Sequence, residues 1–263
     1  MEDTLRQEII KLLQGARLES AWQLIHPMPD EALFDLIDDL RSVQKHLRAK
    51  HWQRAVNALP DASKLSADEQ EQLAGLSLTT LKDDIASLKE SNQALERRRS
   101  AAALEVLAGI DSPILEAEKL CQQGTAYIFE DELERAEAHF QQALSLDPQH
   151  YRVITNRANI YLEQGDTEQA ITLYEQALEV QPNFSNALHN LGVAHRKQGN
   201  IAKGVNYLKK SQRSLKRVDE NDARGELGRR GFLLPGRQAR VVRWIFLVII
   251  LFFLWPVLRG MLP

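Results

Sequence analysis

An all-α fold is what this 263-residue sequence predicts: a solenoid of stacked helical hairpins, a helical region before it, and one C-terminal transmembrane helix. Three observations predict it. Residues 117–216 repeat with a period of 34, a length at which one supersecondary unit recurs and stacks on its neighbours. Residues 1–112 place apolar side chains at helical spacing, with few β-branched runs. Residues 244–258 read WIFLVIILFFLWPVL, with no polar side chain apart from two indoles. The expected segments are an N-terminal helical region at 1–60, a helical hairpin or short coiled coil at 61–111, about three repeats at 112–218, a Gly/Arg-rich linker at 219–240 and the spanning helix at 241–258.

In the first segment, Leu5, Ile9, Leu12 and Leu13 share one helix face. Trp22, Leu24 and Ile25 follow on a short helix that Pro27 and Pro29 end. Asp30 caps a longer helix carrying Leu33, Phe34, Ile37, Leu40, Val43 and Leu47, and residues 51–59 form a last short helix before Pro60. Residues 15–21 (GARLESA) echo residues 49–55 (AKHWQRA), with Ala21 and Ala55 34 apart. The echo reads either as two degenerate repeats or as helical hairpins of similar size.

Ser66 with Glu69 makes a capping box that starts the next helix. Leu81, Ile85, Leu88, Asn92, Leu95, Arg99, Ala102 and Val106 then follow alternating steps of four and three, a heptad seam with Asn92 and Arg99 in core positions. The stretch 81–108 is either a long helix packed on its own hairpin partner or a short coiled coil through which two copies self-associate. Gly109, Asp111, Ser112 and Pro113 break it, with Ser112 as cap and Pro113 in the first turn of a new helix.

The repeats are written in matched residues. Gly124, Ala158 and Gly192 are 34 apart, as are Ala136, Ala170 and Gly204; Tyr127 pairs with Tyr161, Phe140 with Tyr174, Ala143 with Ala177 and Pro148 with Pro182. Small residues belong where two helices approach closely, aromatics fill the space between helices, and the prolines stop the second helix of each unit. Gly165-Asp166 and Gly199-Asn200 mark turns. This pattern resembles the tetratricopeptide repeat. The third copy decays: His195 stands for tyrosine, Ser211 for alanine and Lys216 for proline, and the basic second helix from Ile201 suits the polar cap that ends a solenoid.

The resemblance implies a helix–turn–helix per repeat, a curved solenoid, and partner proteins or peptides bound on the concave face lined by each first helix. Asn156 and Asn190 hold equivalent positions there, Asn159 joins them, and Arg152 stands on the rim. An Asn amide offers both donor and acceptor, and so grips a peptide backbone without reading its side chains. Members that capture a C-terminal carboxylate carry basic residues where this chain has Cys121, Thr125, Asn156, Asn186 and Asn190; only Asn156 fits, which argues against that mode.

The segment 241–258 reaches the lower limit for spanning a bilayer, with Arg243 snorkelling and Trp244 and Trp255 near its two interfaces. Arg224, Arg229, Arg230, Arg237, Arg240 and Arg243 precede its uninterrupted apolar part at 244–258 and only Arg259 follows, which orients the N-terminal bulk to the cytoplasm. The expectation is a single-pass, tail-anchored protein bound to the lipid bilayer through this helix, in a bacterial inner membrane. Gly225, Gly228, Gly231, Pro235 and Gly236 argue against helix in the linker, whose arginines either set topology or meet anionic headgroups.

Composition excludes more than it assigns. The net charge of −3 joins an acidic body to a basic end, and basic residues beside a membrane span do not make a nucleic-acid face. Cys121 is the only cysteine, which suits a reducing compartment, and MEDTLRQEII lacks the basic start and apolar core of a signal peptide. There is no phosphate-binding glycine loop, nucleophile elbow or zinc-protease helix. The seven histidines are scattered (His46 and His51, His189 and His195), so no metal site and no cofactor is expected. Asp38-Asp39, Asp83-Asp84, Glu134, Arg135 and Glu137 read as solvated helix faces. A non-enzymatic interaction scaffold at the cytoplasmic face of a membrane is the function expected. A structural or assembly subunit of a membrane complex, with permanent helical contacts, is the alternative.

Overall fold

The computed structural model describes residues 2–229 apart from 26–29, 62, 64 and 77. Among the described residues the chain is α-helical, with two short 3-10 turns and no strand. The helices are α1 (Glu2–Gln14), α2 (Leu18–Ile25), α3 (Glu31–Arg48), α4 (Trp52–Asn57), α5 (Ala67–Gln72), α6 (Leu81–Glu96), α7 (Ser100–Ala108), α8 (Glu116–Phe129), α9 (Leu133–Leu146), α10 (Tyr151–Glu163), α11 (Thr167–Val180), α12 (Ser185–Lys197) and α13 (Ile201–Arg229). The chain divides into the units Met1–Ser211 and Gln212–Pro263.

One turn builds the first unit. Ala16, Lys50, Arg98, Asp131, Gly165 and Gly199 have φ of 56°, 56°, 54°, 63°, 89° and 88°. Each left-handed residue donates its N–H to the carbonyl three residues back, at 2.8–3.3 Å. In five of the six turns the next N–H reaches back five residues, as Lys50's neighbour His51 does to His46, the Schellman closure of a helix end. Five residues after each left-handed residue stands a small buried one: Ala21, Ala55, Ala103, Ala136, Ala170 and Gly204. A small side chain there lets the second helix fold back onto the first. The pairs α1/α2, α3/α4, α6/α7, α8/α9, α10/α11 and α12/α13 are therefore six hairpins with one corner geometry.

The echo between residues 15–21 and 49–55 is this shared corner. The unit lengths differ, however. The second helices α2, α4 and α7 have 8, 6 and 9 residues, while α9 and α11 have 14 each.

The expected continuous helix over 81–108 is corrected. It breaks at Arg97-Arg98-Arg99, and α7 doubles back on α6, with the Ser91 hydroxyl donating to the Ala103 carbonyl at 3.3 Å. Three consecutive arginines cannot enter an apolar seam, so the chain places all three in solvent at the corner. Arg99 and Ala102 are exposed, while Leu81, Ile85, Leu88 and Leu95 are buried within the chain's own cores. Of the two alternatives for this seam, packing within the chain is the one its buried leucines follow.

Two further expectations change. Asp30 caps α3, accepting from the Leu33 N–H at 3.1 Å, but Ser112 makes no side-chain cap bond and its hydroxyl is buried without a partner. The proposed linker is helical as far as Arg229, through Gly225 and Gly228. Glycine weakens a helix by about 1 kcal/mol, whereas a proline stops it, and none occurs between Pro182 and Pro235. Among the described residues no helix is long and apolar enough to cross a membrane. The expected span at 241–258 with Trp244, Trp255, Arg240 and Arg243, the rest of the linker, and Pro27 with Pro29 lie outside the described residues.

Three cores matter for the site. Residues 1–115 enclose an aliphatic one of leucine, isoleucine and valine, with Leu13, Leu33, Ile37, Leu40, Leu76, Leu81 and Leu107 buried. The repeats enclose two smaller cores. One holds Ala136, Phe140 and Ala143, the other Ala170, Tyr174 and Ala177. A Cβ on Gly124 would fall inside the Phe140 ring edge, and one on Gly192 would meet the Gly204 carbonyl at 2.9 Å, so both glycines are close-approach positions. Gly124, Ala158 and Gly192 are all buried. Tyr127 and Tyr161 are half-buried; the Tyr127 ring lies 4.9 Å from His139 and 4.0 Å from the Arg135 guanidinium. Helices α9 and α11 end at Leu146 and Val180, two residues before Pro148 and Pro182.

Candidate functional site

The first helices of the repeats, α8, α10 and α12, line a groove of about 550 Å³. It takes Thr125 from α8, Asn156 and Asn159 from α10, Asn190 from α12 and, at one end, the turn Arg48–Lys50 after α3. All of the residues expected for binding therefore line one cavity: Asn156, Asn159, Asn190 and Arg152.

The asparagines are joined across repeats. Asn156 Nδ2 donates to Thr125 Oγ1 at 3.2 Å, and Asn190 Nδ2 donates to Asn159 Oδ1 at 2.8 Å. Thr125 and Asn159 are 34 apart, so these are the same bond made twice, each 31 residues long in sequence. Asn159 Oδ1 also accepts from the Tyr174 hydroxyl at 2.6 Å, and burial raises that phenol above its ordinary pKa. These bonds fix the Asn156 and Asn190 amide planes. An amide carries two N–H donors and two acceptor lone pairs, so Asn156 keeps a donor and its acceptor for a ligand, and Asn190, which also meets the Tyr174 hydroxyl, keeps its acceptor.

Arg152 is corrected from rim to interior. Its side chain is 13% exposed and its Nη1 lies 3.0 and 3.1 Å from the two oxygens of Glu118, which is 2% exposed. Burial alone would raise the Glu118 pKa. The Arg152 guanidinium, a His150 hydrogen bond and the Gln122 amide outweigh it and hold the carboxyl at about 2. His150 caps α10 with Nδ1, accepting from the Val153 N–H, which leaves Nε2–H to donate to Glu118 Oε2 at 3.1 Å. Glu118 and Arg152 occupy the same repeat position, 34 apart. Opposite charges at one register position of adjacent repeats become neighbours, and the sequence carried that signal.

This cluster joins the repeats to the N-terminal hairpins. Arg152 Nη1 also donates to the Leu47 carbonyl at 3.4 Å, and the Tyr151 hydroxyl to the Arg48 carbonyl at 2.8 Å. Arg48 Nε donates to Asp147 at 2.6 Å and its Nη1 to Gln149 at 3.3 Å. The last carbonyls of α3 lack intrahelical partners, and here α10 supplies them. Arg48, Lys50, Glu118 and His150 were not singled out in the sequence; their long-range partners lie 32 to 103 residues away. Glu137, expected as a solvated charge, pairs with Arg157 of α10 at 2.9 and 3.0 Å.

A tight donor cluster does form, contrary to the scattered reading of the histidines. Ligand atoms of Glu118, Cys121 and His150, all buried, lie within 4.8 Å of one another. Their chemistry fits a cation poorly, because both Glu118 oxygens face Arg152 and burial pushes the Cys121 thiol up to about 12. Arg152 already supplies the positive charge.

Family models match the repeated part of the chain. A TPR repeat model matches residues 158–199, and tetratricopeptide repeat models match 139–172, 117–150 and 185–214. No curated protein matches the chain. Among solved structures, the crystal structure of MamA aligns at 18% identity over 68% of this chain and 96% of that one, with a TM-score of 0.42. YrrB, described as a TPR protein with an unusual peptide-binding site, aligns at 15% identity over 73% and 90%, with a TM-score of 0.39.

Proposed function

We propose, from the premise that residues 117–214 are tetratricopeptide repeats, that this protein holds an extended segment of a partner protein in the groove of α8, α10 and α12. One observation carries the reading. Asn156 and Asn190 are held in fixed, repeating orientations, and both present polar side-chain atoms to the groove. A peptide backbone presents one donor and one acceptor per residue, so two such amides grip it without reading its sequence. The groove performs no reaction in this reading, and its buried charges are structural. The membrane setting is part of the proposal and rests on the apolar sequence 241–258 with its arginine-rich flank. Anchoring raises the local concentration of groove and partner, so modest affinity suffices.

The test selects random peptides on the purified full-length chain, and in parallel on an Asn156→Ala/Asn190→Ala variant. Peptides enriched by the native chain and lost by a folded double variant support the reading; equal enrichment by both sinks it. Alkaline extraction of cell membranes tests the anchor. The chain should stay in the pellet, and release with the wash would refute the spanning segment.

A permanently assembled subunit is the second reading, and one observation favours it. Ile201 and Val205 stand four apart on α13 and are 57% and 41% exposed, an apolar stripe at the end of the repeats.

A further inference from the structure

We propose that the groove selects an acidic segment, and that Lys50, brought to it by the α3–α4 corner, is the residue that reads the carboxylate side chain. This rests on the groove being a peptide site and goes further in naming the chemistry of the occupant. Among the described residues, Arg48, Lys50 and Arg152 are the lysines and arginines that line the cavity, and no Asp or Glu lines it. Two of the three are already neutralised. Arg48 meets the buried Asp147 at 2.6 Å, and Arg152 meets the buried Glu118 at 3.0 Å. Lys50 is paired only loosely: Glu96 lies at 3.8 Å on a side chain 62% exposed, and Glu118, which also attracts it, is already bonded to Arg152. An ion pair that long and that wet contributes little. The uncommitted charge of the groove is thus positive and sits on one residue.

The position of Lys50 is fixed from both sides. Its backbone is left-handed, φ 56°, and its N–H donates to the Leu47 carbonyl at 2.8 Å. The carbonyls of Leu47 and Arg48 are in turn held by Arg152 and Tyr151 of the helix that carries Asn156. The N-terminal hairpins therefore deliver a cation to the end of a groove whose asparagines belong to the repeats. Partial burial, followed by the neighbouring Arg152, pulls the Lys50 ammonium below its ordinary value. A carboxylate arriving beside it would reverse that cost, which favours acidic over neutral side chains. The mode differs from C-terminal carboxylate capture by basic residues on the repeats, since the cation here comes from outside them.

The experiment uses two pools of short random peptides, both amidated at the C-terminus. In one pool the charged residues are only Asp and Glu; in the other, only Lys and Arg. Retention is measured on the full-length chain, on Lys50→Glu, on Lys50→Gly and on the Asn156→Ala/Asn190→Ala variant. Glycine suits the left-handed corner, so Lys50→Gly removes the ammonium and keeps the turn. The native chain should retain the acidic pool over the basic one by roughly fivefold or more, as a partly buried ion pair of about 1 kcal/mol implies. Lys50→Gly should erase the preference and Lys50→Glu should reverse it. If the acidic preference survives both Lys50 variants, the assignment to Lys50 is overturned. If both pools bind the native chain equally and both are lost with the asparagines, the groove reading stands and acidic selection falls. If neither pool is retained, the groove reading falls and takes this proposal with it.

Discussion

The N-terminal hairpins and the repeats turn the same corner but fill their interiors differently. Residues 1–115 pack leucine, isoleucine and valine against one another. The repeats set alanines around a fully buried ring, Phe140 or Tyr174, among fewer aliphatic residues, and seat the Phe140 ring against the bare Gly124 backbone and the Gly204 carbonyl against Gly192. An aliphatic core can be rearranged at constant volume, whereas a ring seated against a bare backbone cannot. That difference separates a region free to vary its helix lengths, 6 to 18 residues, from one held to 13 or 14 before its last helix. Between them lies a polar joint of buried charges, and the groove opens beside it.

The joint gives the largest expected effect. Glu118→Ala strands Arg152 in the interior and should destabilise the full chain by about 3–5 kcal/mol in urea unfolding. A loss under 1 kcal/mol would mean that the two regions are not joined through this pair. The same carboxylate makes stability pH-dependent. With Glu118 at about 2 against an ordinary 4.5, its contribution is complete above pH 4.5 and is lost as pH falls toward 2. Thermal melts should therefore show a steeper acid decline in the native chain than in Glu118→Gln, and parallel declines would remove this pair as the cause.

The two interiors come next. Ala170→Leu, beside Tyr174 in a packed repeat core, should cost about 1–3 kcal/mol or more, while the volume-conserving Ile37→Leu among the aliphatic residues should cost less than about 1.5 kcal/mol. Similar losses at both sites, read from urea midpoints, would erase the contrast. The shared corner gives the smallest effect. Arg98→Gly should stabilise by about 0.5–1 kcal/mol, because a non-glycine residue is strained at a φ of 54°, and Gly165→Ala should cost a similar amount. A lower melting temperature in Arg98→Gly, or a higher one in Gly165→Ala, would show that the corner is not strained.

Much of the repeat array was legible because its packing is local and periodic. Gly124, Ala136 and Phe140 announce their roles through residues 34 away. Asn156, Asn159 and Asn190 could be placed on one face for the same reason, though not the bonds that tie Asn156 and Asn190 to the preceding repeat. The corner at Arg98 was missed because a heptad pattern runs through it; the conflict of Arg99 with an apolar seam was the available sign. Arg152 was misplaced because its partner lies in another repeat. Lys50 was invisible as a groove residue, since only tertiary docking of α3 on α10 brings it there.

The most direct measurement is site-specific photocrosslinking on the full-length chain in cells. A photoreactive side chain would replace His189, exposed in the groove, or Gln141, exposed on α9 away from it. The groove reading predicts that His189 crosslinks to one extended acidic segment of a partner. That adduct should disappear in the Asn156→Ala/Asn190→Ala background, with Gln141 giving no such adduct. Adducts of equal yield at both sites, unaffected by the asparagine changes, would contradict it.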